Sequence, residues 1–399
     1  MLPCSRADDE RPAADLVIIG GGCAGLSLGL RLAEDAGPLR QVVILEDRSA
    51  YSNDRTWCFW RPEAHRFDTL VSRSWSKLAV RTTQGEALMI CSAHPYQMLP
   101  AGAFYDYARA RIEASVSVRL QLTTKVLGSP VKIGCGWRID TTQGQIAATH
   151  VIDTRPSRCP RPDREALWQS FLGQEVTCSR PVFDPTRVEL MDFAEDSQDR
   201  VTFTYVLPIT PTRALIENTV FDSAPQSVAR LSQRQAREVK RLCGDALLRI
   251  ERTESGVLPM SFRACETVAG PGYWRVGLQH GAARPATGYA FQRIQRWADA
   301  CSASIRLGAG PCGHAPDPVL TRAMDRLFLR VLRSHPKRGP ELFLRLFQGT
   351  PPVRLIRFLC DEASSLDRLA VAAALPTSLF LKEVWSLAPG ALMLRENVT

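Results

Sequence analysis

Three consecutive glycines begin at Gly20 and separate a short apolar run from an apolar segment with helical periodicity. Within residues 15–31 this pattern predicts a strand, a tight turn and a helix. Gly20, Gly22 and Gly25 have the G-x-G-x-x-G spacing, in which the glycines make the turn, admit a pyrophosphate and allow close helix packing. The helix N-terminus would also direct unpaired N–H groups at the phosphates. The stretch therefore predicts a dinucleotide-binding domain.

An acidic residue supports this prediction. A second apolar strand candidate, residues 41–45, ends at Glu46, about 20 residues after the glycine turn, where a carboxylate can accept from a ribose 2′-hydroxyl. The alternative is a glycine-rich turn in an ordinary α/β domain. The early turn and the placement of the acid resemble those of FAD enzymes more than those of NAD enzymes, so we expect FAD as the resident cofactor.

Length and composition limit the other possibilities. The chain has 399 residues, of which 45% are apolar and 23% charged, enough for two or three domains around a large core. Its 12 cysteines form no C-x-x-C pair and no grouping with histidine at metal spacing, so we expect buried thiols in a reducing cytosol and no metal site. No apolar window reaches the length of about 18 residues that a membrane span needs.

Two stretches after Glu46 are further candidates for the site. Residues 51–60 run from a polar turn into an aromatic cluster, which is either a core strand or a loop that covers the cofactor and lines an apolar cavity. A short buried strand, residues 150–153, ends at Asp153. This resembles the point at which glutathione-reductase-type flavoproteins return the chain to FAD, although Asp153 also suits a helix cap or a turn.

A proline-rich passage leads into antiparallel strand candidates at residues 188–193, 201–207 and 213–221. In the last of these, alternation places Glu217 on a face between apolar neighbours. Burial raises the pKa of a carboxyl by up to about 3 to 5 units, so such a glutamate can keep its proton. Glu217 is therefore the candidate general acid, and the alternative is an ion-paired residue at a sheet edge.

The segments after this strand predict a second acid and a second anion site. Residues 223–249 have a helical pattern, and Glu254 follows in a polar loop, where it is the reserve acid. Gly281 and Gly288 frame a loop that enters another long helix. The N-terminus of that helix again suits an anionic group.

The C-terminal residues 317–387 are predicted to form amphipathic helices that combine large apolar side chains with many arginines. They hold part of the excess of basic over acidic residues that gives the chain a formal charge of +9. Such helices suit an anionic membrane surface, and a helical subdomain with a solvated basic face is an equal alternative. No nucleic-acid recognition fold accompanies the charge, so we expect no nucleic acid as a partner.

Several segments together resemble the bacterial lycopene β-cyclases, FAD-binding proteins that close the end rings of linear carotenes. Residues 55–59 (Arg-Thr-Trp-Cys-Phe) resemble the family's His-Thr-Trp-Ser-Phe, and residues 207–213 resemble its Leu-Pro-Leu-Ser-Pro-Thr-Arg, which a glutamate-containing strand follows. Residues 284–289 are similar to its His-Pro-Thr-Thr-Gly-Tyr, and segments within residues 357–381 match its closing helices. The resemblance spans residues 15–382 and departs from the family at Arg55 and Arg284, where histidine is expected.

The resemblance implies an isomerase (intramolecular lyase) that converts the ψ end groups of lycopene to β-ionone rings with Glu217 as the acid. It also implies reduced FAD as the active cofactor without net electron transfer, NAD(P)H as its reductant, and a cytoplasmic enzyme peripherally associated with the inner membrane. The implied cofactor contacts are Gly20, Gly22, Gly25, Glu46, Arg55, Asp153, Gly281, Pro285, Thr287 and Gly288. Trp57, Phe59 and Tyr289, with Trp60 and Phe291, are expected to line the substrate cavity and to stabilise a cation.

The predicted fold is α/β, with a glutathione-reductase-type Rossmann FAD-binding domain, an antiparallel-sheet substrate domain and a C-terminal helical region. The FAD-binding domain is discontinuous and comprises residues 13–155 and 265–312. The substrate and catalytic domain comprises residues 156–264. Residues 313–390 form the helical region, which is expected to face a membrane.

Two other functions fit the same fold. One is an FAD-dependent oxidoreductase or monooxygenase that acts on an isoprenoid or carotenoid; it would share the glycine turn and Glu46 but not the segment around Glu217. The other is a flavin-binding regulatory or scaffolding protein without catalysis, which the arginines at positions 55 and 284 would suit.

Overall fold

Short strands and helices alternate in the first part of the chain, long antiparallel strands follow, and helices complete it. The computed structural model describes residues 13–35, 37–156, 166–194, 199–262 and 268–385. The strands are β1 (Ala14–Ile19), β2 (Val42–Leu45), β3 (Thr56–Trp60), β4 (Arg73–Trp75), β5 (Lys77–Thr82), β6 (Gly85–Ile90), β7 (Tyr96–Pro100), β8 (Val118–Gln121), β9 (Val131–Ile133), β10 (Gly136–Thr141), β11 (Gly144–Asp153), β12 (Leu167–Cys178), β13 (Arg187–Asp192), β14 (Val201–Thr210), β15 (Arg213–Asp222), β16 (Leu248–Met260), β17 (Val268–Gly270) and β18 (Tyr273–Arg275). The helices are α1 (Cys23–Glu34), α2 (Ala101–Glu113), α3 (Val228–Cys243), α4 (Phe291–Arg306), α5 (Val319–Ser334), α6 (Gly339–Gly349), α7 (Pro352–Leu359), α8 (Ser365–Ala374) and α9 (Thr377–Trp385).

The first sheet is built around β1, which pairs in parallel with β2 on one side and with β11 on the other. Its main strand order is β17-β18-β11-β1-β2-β8. Alternation along β1 sends Leu16 and Ile18 into the core shared with α1, α2 and α4, while Val17 and Ile19 pack on the opposite face. The predicted strand, turn and helix at residues 15–31 are confirmed, and so is the α/β fold class.

The second sheet has the order β16-β12-β15-β14-β13-β5-β6 and carries the long antiparallel strands. One face packs against α3, and the apolar side chains of the other face join a core formed with α5 to α9. The strands β5 and β6 belong to this sheet, because β5 pairs in parallel with β13. The expected boundary at residue 156 therefore does not separate the two sheets.

After β15, the helix agrees with the sequence prediction but the segment that follows it does not. The helix expected over residues 223–249 is α3, which Ser227 caps at its start and which ends before Gly244 at a φ of +58°. Glu254 lies in β16 and not in a loop, because this polar segment pairs with β12 along almost its whole length. Tertiary pairing thus overrides the polar composition of the segment.

The C-terminal residues fold into the predicted helices α5 to α9, while residues 386–390 of the expected helical region lie outside the described residues. Several of their arginines are engaged within the protein. Arg333 donates to the Ala166 carbonyl at 2.7 Å, and Arg357 forms an ion pair with Asp367. In the described part of the chain, no helix combines the length and the apolar character needed to cross a bilayer.

Candidate active site

A cavity of about 900 Å³ lies where the glycine turn, the second sheet and the C-terminal helices meet. Its wall includes Gly22 and Cys23 from the turn and the first residue of α1, and residues 286–291 from the loop and the start of α4. Large apolar side chains from the sheet and the helices form much of the rest: Phe171, Leu215, Phe221, Phe328, Phe343 and Phe347. The lining is predominantly apolar, as a binding site for a hydrocarbon requires.

The glycine turn leaves open space at the N-terminus of α1. Gly22 is the N-cap of the helix, no side chain caps it, and a Cβ there would meet no atom within 4 Å. Gly20 has a φ of +97°, and a Cβ on Gly25 would lie 2.0 Å from the Gly20 carbonyl oxygen. The three glycines therefore serve to turn the chain, to leave room at the helix N-terminus and to bring helix and strand together.

Glu46 lies beside this turn. Its carboxylate accepts hydrogen bonds from the Gly21 N–H at 2.7 Å and from the Arg48 N–H at 2.9 Å. Burial opposes ionisation of Glu46, but the side-chain and backbone hydrogen bonds from Arg48 outweigh it, so the pKa of Glu46 is lowered. The structure thus places an ionised carboxylate next to the turn, and its contact with a ribose stays a prediction.

Glu217 projects from β15 into the cavity. Leu215, Glu217 and Thr219 all line the cavity, whereas Ala214 and Ile216 pack on the opposite face of the sheet. This is the alternation that the sequence predicts. The central position of β15, between β12 and β14, means that the strand is not at a sheet edge.

The carboxyl of Glu217 forms no ion pair with any described residue. Thr219 donates to it through Oγ1 at 2.9 Å. Burial, reinforced by the negative charge of Glu254, raises the pKa of Glu217 to about 8, and the hydrogen bond from Thr219 opposes this shift. The side chain borders the cavity and holds its proton at neutral pH, so it can donate a proton to a bound molecule.

Glu254 lines the same cavity but has different surroundings. It forms an ion pair with Arg252 and accepts from Thr56 Oγ1 at 2.9 Å. Arg252 also pairs with Glu175 through Nε at 2.7 Å. Glu254 is therefore a fixed, charge-paired group.

Aromatic hydroxyls face Glu217 from other elements. Tyr205 is its cross-strand neighbour on β14 and donates to Tyr96 at 3.0 Å. Burial raises the pKa of both phenols, which keeps them neutral. Tyr289 and Cys58 complete this part of the wall. The group supplies π-electrons and oxygen dipoles close to the acid, without a positive charge.

The aromatic residues predicted for the cavity divide into two groups. Trp57, Tyr289 and Phe291 line it, and the rings of Trp57 and Phe291 stack with centroids 5.1 Å apart. Phe59 and Trp60 do not line it and are core residues with 4% and 2% exposure. Phe59 lies on the same side of β3 as Trp57 but in the core of the first sheet, where it stacks on Phe291, and Trp60 lies in the core of the second sheet. Contact of these two residues with a substrate stays a prediction.

The predicted cofactor residues also divide. Gly22, Arg55, Thr287 and Gly288 border the cavity, whereas Gly281 and Pro285 do not. Asp153 is outside the wall as well, because its carboxylate is occupied by Arg155 at 2.7 Å and by the Tyr273 hydroxyl at 2.9 Å. Asp153 therefore fastens the end of β11 rather than facing the cavity.

Arg284 is buried, with 1% exposure, and does not line the cavity. Its guanidinium donates to both carboxylate oxygens of Asp325 at 2.8 and 2.9 Å and also to the Phe358 carbonyl. It lies 4.4 Å from the centroid of the Phe358 ring. This arginine connects the loop before α4 to α5 and α7, and sequence reasoning missed its partner Asp325.

Other functional residues had weak signals in the sequence. Gly173 belongs to no motif, and its importance depends on strand register. Thr56 lies in the segment that resembles the family, but its contact with Glu254 does not follow from that resemblance. The alternation of Arg252 and Glu254 along one strand indicates that both side chains share a face. That signal was lost when the segment was predicted to be a loop.

Comparison with known proteins identifies relatives along nearly the whole chain. Residues 15–383 match the family model described as lycopene cyclase protein. A lycopene β-cyclase of Paracoccus sp. is 27% identical over 391 residues, covering 91% of this chain and 94% of the relative. A lycopene β-cyclase of Pseudescherichia vulneris is 25% identical over 391 residues, covering 93% and 96%.

Solved structures share the fold at lower identity. The flavin-dependent monooxygenase PieE, in complex with FAD and substrate, has a TM-score of 0.59 and 14% identity, covering 91% of this chain and 72% of that one. A geranylgeranyl bacteriochlorophyll reductase-like protein of Thermoplasma acidophilum has a TM-score of 0.56 and 13% identity, covering 96% and 98%. These similarities confirm the Rossmann-type flavoprotein fold.

Proposed function

The chain belongs to the lycopene cyclase family, and from this premise we propose that it is a lycopene β-cyclase, an isomerase that converts the ψ end groups of lycopene to β-ionone rings. The observation that carries the proposal is the Glu217 carboxyl, which projects into an apolar cavity, keeps its proton because of burial and has no ion-pair partner among the described residues. Ring closure begins with protonation of an alkene, which needs a correctly placed acid that still carries its proton at neutral pH. An apolar wall is also what a hydrocarbon substrate requires.

The reaction balances without an external acid or base. The proton of Glu217 adds to the terminal double bond of the end group, and Glu217 becomes a carboxylate. The neighbouring double bond then attacks the resulting cation, which forms the ring bond and moves the positive charge into the ring. Return of one ring proton to the Glu217 carboxylate gives the product and restores the acid. One proton enters and one leaves, so substrate and product are isomers.

The wall residues have two tasks in this sequence. The faces of Trp57 and Tyr289 can stabilise positive charge at a contribution of about 0.5 to 2 kcal/mol each. The apolar side chains of the sheet and the helices exclude water, which would otherwise add to the cation. Both tasks follow from the positions of these side chains in the cavity wall.

The glycine turn fits FAD, because the uncapped N-terminus of α1 and the space at Gly22 suit a pyrophosphate. Gly22, Arg55, Thr287 and Gly288 would contact the cofactor from the cavity wall, and Gly20, Gly25 and Glu46 would shape its site. When bound in reduced form, FAD would supply electron density that stabilises positive charge without net electron transfer, and NAD(P)H would serve to reduce it.

The substrate dissolves in lipid, which favours attachment of the enzyme to a membrane surface. Leu381 and Val384 of α9 line the cavity and are also 51% and 44% exposed. Further exposed apolar side chains lie on α8, whose Ala372 also lines the cavity, and at the end of α9: Leu366, Leu369 and Trp385. We define Leu366, Leu369, Leu381, Val384 and Trp385 as the apolar rim. Its position at the cavity supports peripheral association with the inner membrane from the cytoplasmic side.

Pigment analysis tests the proposal. Cells that accumulate lycopene are transformed with the gene for this chain, and their carotenoids are separated and identified. We expect cyclised carotenes without stoichiometric oxidation of NAD(P)H by the purified enzyme. Unchanged lycopene in cells that contain folded flavoprotein would contradict the proposal, and one NAD(P)H oxidised per product would instead indicate a redox enzyme of the same fold.

A further inference from the structure

Glu217 and Glu254 occupy the same row of the second sheet, on either side of one glycine. Gly173 on β12 pairs with Glu217 on β15 and with Glu254 on β16. A Cβ at Gly173 would lie 3.3 Å from Glu254 Cγ and 3.4 Å from Glu217 Cβ. Because Gly173 has no side chain, the two glutamate side chains close over it from both sides, and both of them line the cavity.

The anchoring of the two groups is unequal. Arg252 and Thr56 hold the Glu254 carboxylate, and Arg252 is itself fixed by Glu175. Glu217 receives one hydrogen bond, from Thr219. One member of the row is thus immobilised in its charged form, while the other is left to gain and lose a proton.

We propose that Glu254 is a positioning residue that keeps the proton on Glu217 by placing a fixed negative charge on the opposite side of Gly173. Two carboxylates that share an apolar site do not ionise together easily, so the unpaired one stays protonated. The proposal rests on the proposed function, because the proton held in this way is the one delivered to the substrate. The ion pair with Arg252 holds the Glu254 carboxylate in place for this task.

The other groups around Glu217 do not supply this charge. Tyr205 faces it from β14 and Cys58 from β3, and burial keeps both neutral, raising the pKa of Cys58 to about 12. Thr219 carries no charge, and Gly173 has no side chain. Arg252 lies two residues from Glu254 on β16 and has both Glu254 and Glu175 as partners. Glu254 is therefore the nearby anion that acts on Glu217.

The test is the titration of Glu217 in purified holoenzyme, followed through the infrared band of its protonated carboxyl group. The Glu217→Gln variant identifies the band, because it lacks that carboxyl. In Glu254→Gln we expect the band to disappear at a pH about 1 unit lower than in the wild type, since a neighbouring negative charge has been removed. The amide still accepts from Thr56, and Glu175 remains as the partner of Arg252.

Three comparisons make the outcome decisive. Glu254→Asp keeps the charge and should titrate like the wild type, as should Glu251→Gln, which changes an exposed glutamate on the same strand. Glu254→Met, uncharged and of similar volume, replaces the glutamine variant if that one does not retain flavin. An unchanged titration in the uncharged variant overturns the proposal. Because this readout needs no substrate, it can fail while the cyclase function stands, and the reverse is also true.

The same variants give a kinetic readout. The alkaline limb of the pH–rate profile for cyclisation should move to lower pH in Glu254→Gln, by the same shift as the titration of the infrared band. A lower rate with an unmoved limb would show that Glu254 merely supports the fold, and it would overturn the positioning role.

Discussion

Arg284 and Asp325 form a two-pronged ion pair in which both side chains are almost fully buried, at 1% and 2% exposure. The pair joins the loop before α4, part of which borders the cavity, to helix α5, which also lines it. The departure from histidine at this position thus has a structural consequence. Arg284 fastens the helical region to the first sheet rather than contacting a cofactor.

The Arg284→Met variant should lose about 3 to 5 kcal/mol of unfolding free energy, because it leaves Asp325 charged and buried without a partner. Denaturant unfolding of the holoenzyme measures the loss. Arg345→Met is the control, since Arg345 is half-exposed and its ion pair with Glu341 is worth about 1 kcal/mol or less. Equal losses in the two variants would contradict a structural role for Arg284.

The Glu217→Gln variant should bind FAD normally and lose cyclisation by about 100- to 10,000-fold, because an amide cannot supply the proton. The measurement is conversion of lycopene under reducing conditions, with flavin absorbance as the check on folding. Glu251→Gln, on an exposed part of the same sheet, should retain its rate. Full activity in Glu217→Gln would remove this residue from the role of acid.

The pH dependence of cyclisation follows from the raised pKa of the Glu217 carboxyl. The protonated form is the active one, so the rate should be maintained across neutral pH and fall as pH rises through about 8. An ordinary glutamate with a pKa of 4.5 would already have lost its proton at neutral pH. Initial rates with lycopene in vesicles, measured where flavin stays bound, provide the test. A rate that is unchanged well above pH 8 would contradict the assignment.

The apolar rim can be tested with the double variant Leu366→Ser, Leu369→Ser on α8. Burying a leucine contributes about 1.5 to 3 kcal/mol, and 1.4 kcal/mol is about tenfold in affinity. We therefore expect binding to anionic phospholipid vesicles to weaken by about tenfold or more. Val131→Ser, Ile133→Ser removes two exposed apolar side chains from β9, which belongs to the first sheet, and should bind like the wild type. Equal binding by both double variants would exclude the rim as the attachment surface.

Two glycine substitutions should differ in their effect on folding. A methyl group at Gly25 would lie 2.0 Å from a backbone oxygen, so Gly25→Ala should lower the melting temperature and abolish flavin retention. At Gly22 a methyl group meets open space, so Gly22→Ala should fold normally but hold FAD more weakly. Calorimetry and flavin content distinguish the two. Tight flavin binding by Gly22→Ala would show that the cofactor does not approach this position.

The residues that sequence analysis located well are those whose neighbours along the chain fix their environment. The glycine turn is confirmed because strand, turn and helix are continuous in sequence. The side of β15 that carries Glu217 is also correct, because alternation alone determines it. Both depend on local periodicity.

The residues that it missed depend on contacts between distant segments. The role of Gly173 depends on its register with β15 and β16. The role of Asp325 depends on the docking of α5 against the loop that bears Arg284. Glu254 was assigned to a loop because β16 is rich in polar residues, and pairing with β12 overrides that preference. A single sequence does not contain the register that would reveal these relationships.

The parallel pairing of β5 with β13 also governs the order in which the chain can fold. During synthesis the hairpin of β5 and β6 emerges long before its partner strand, so the second sheet cannot be completed while the early part of the chain is still alone. Pairings between such distant segments slow folding and leave strand edges exposed in the meantime. The newly made protein is therefore expected to depend most on chaperones after β6 has emerged and before β13 has.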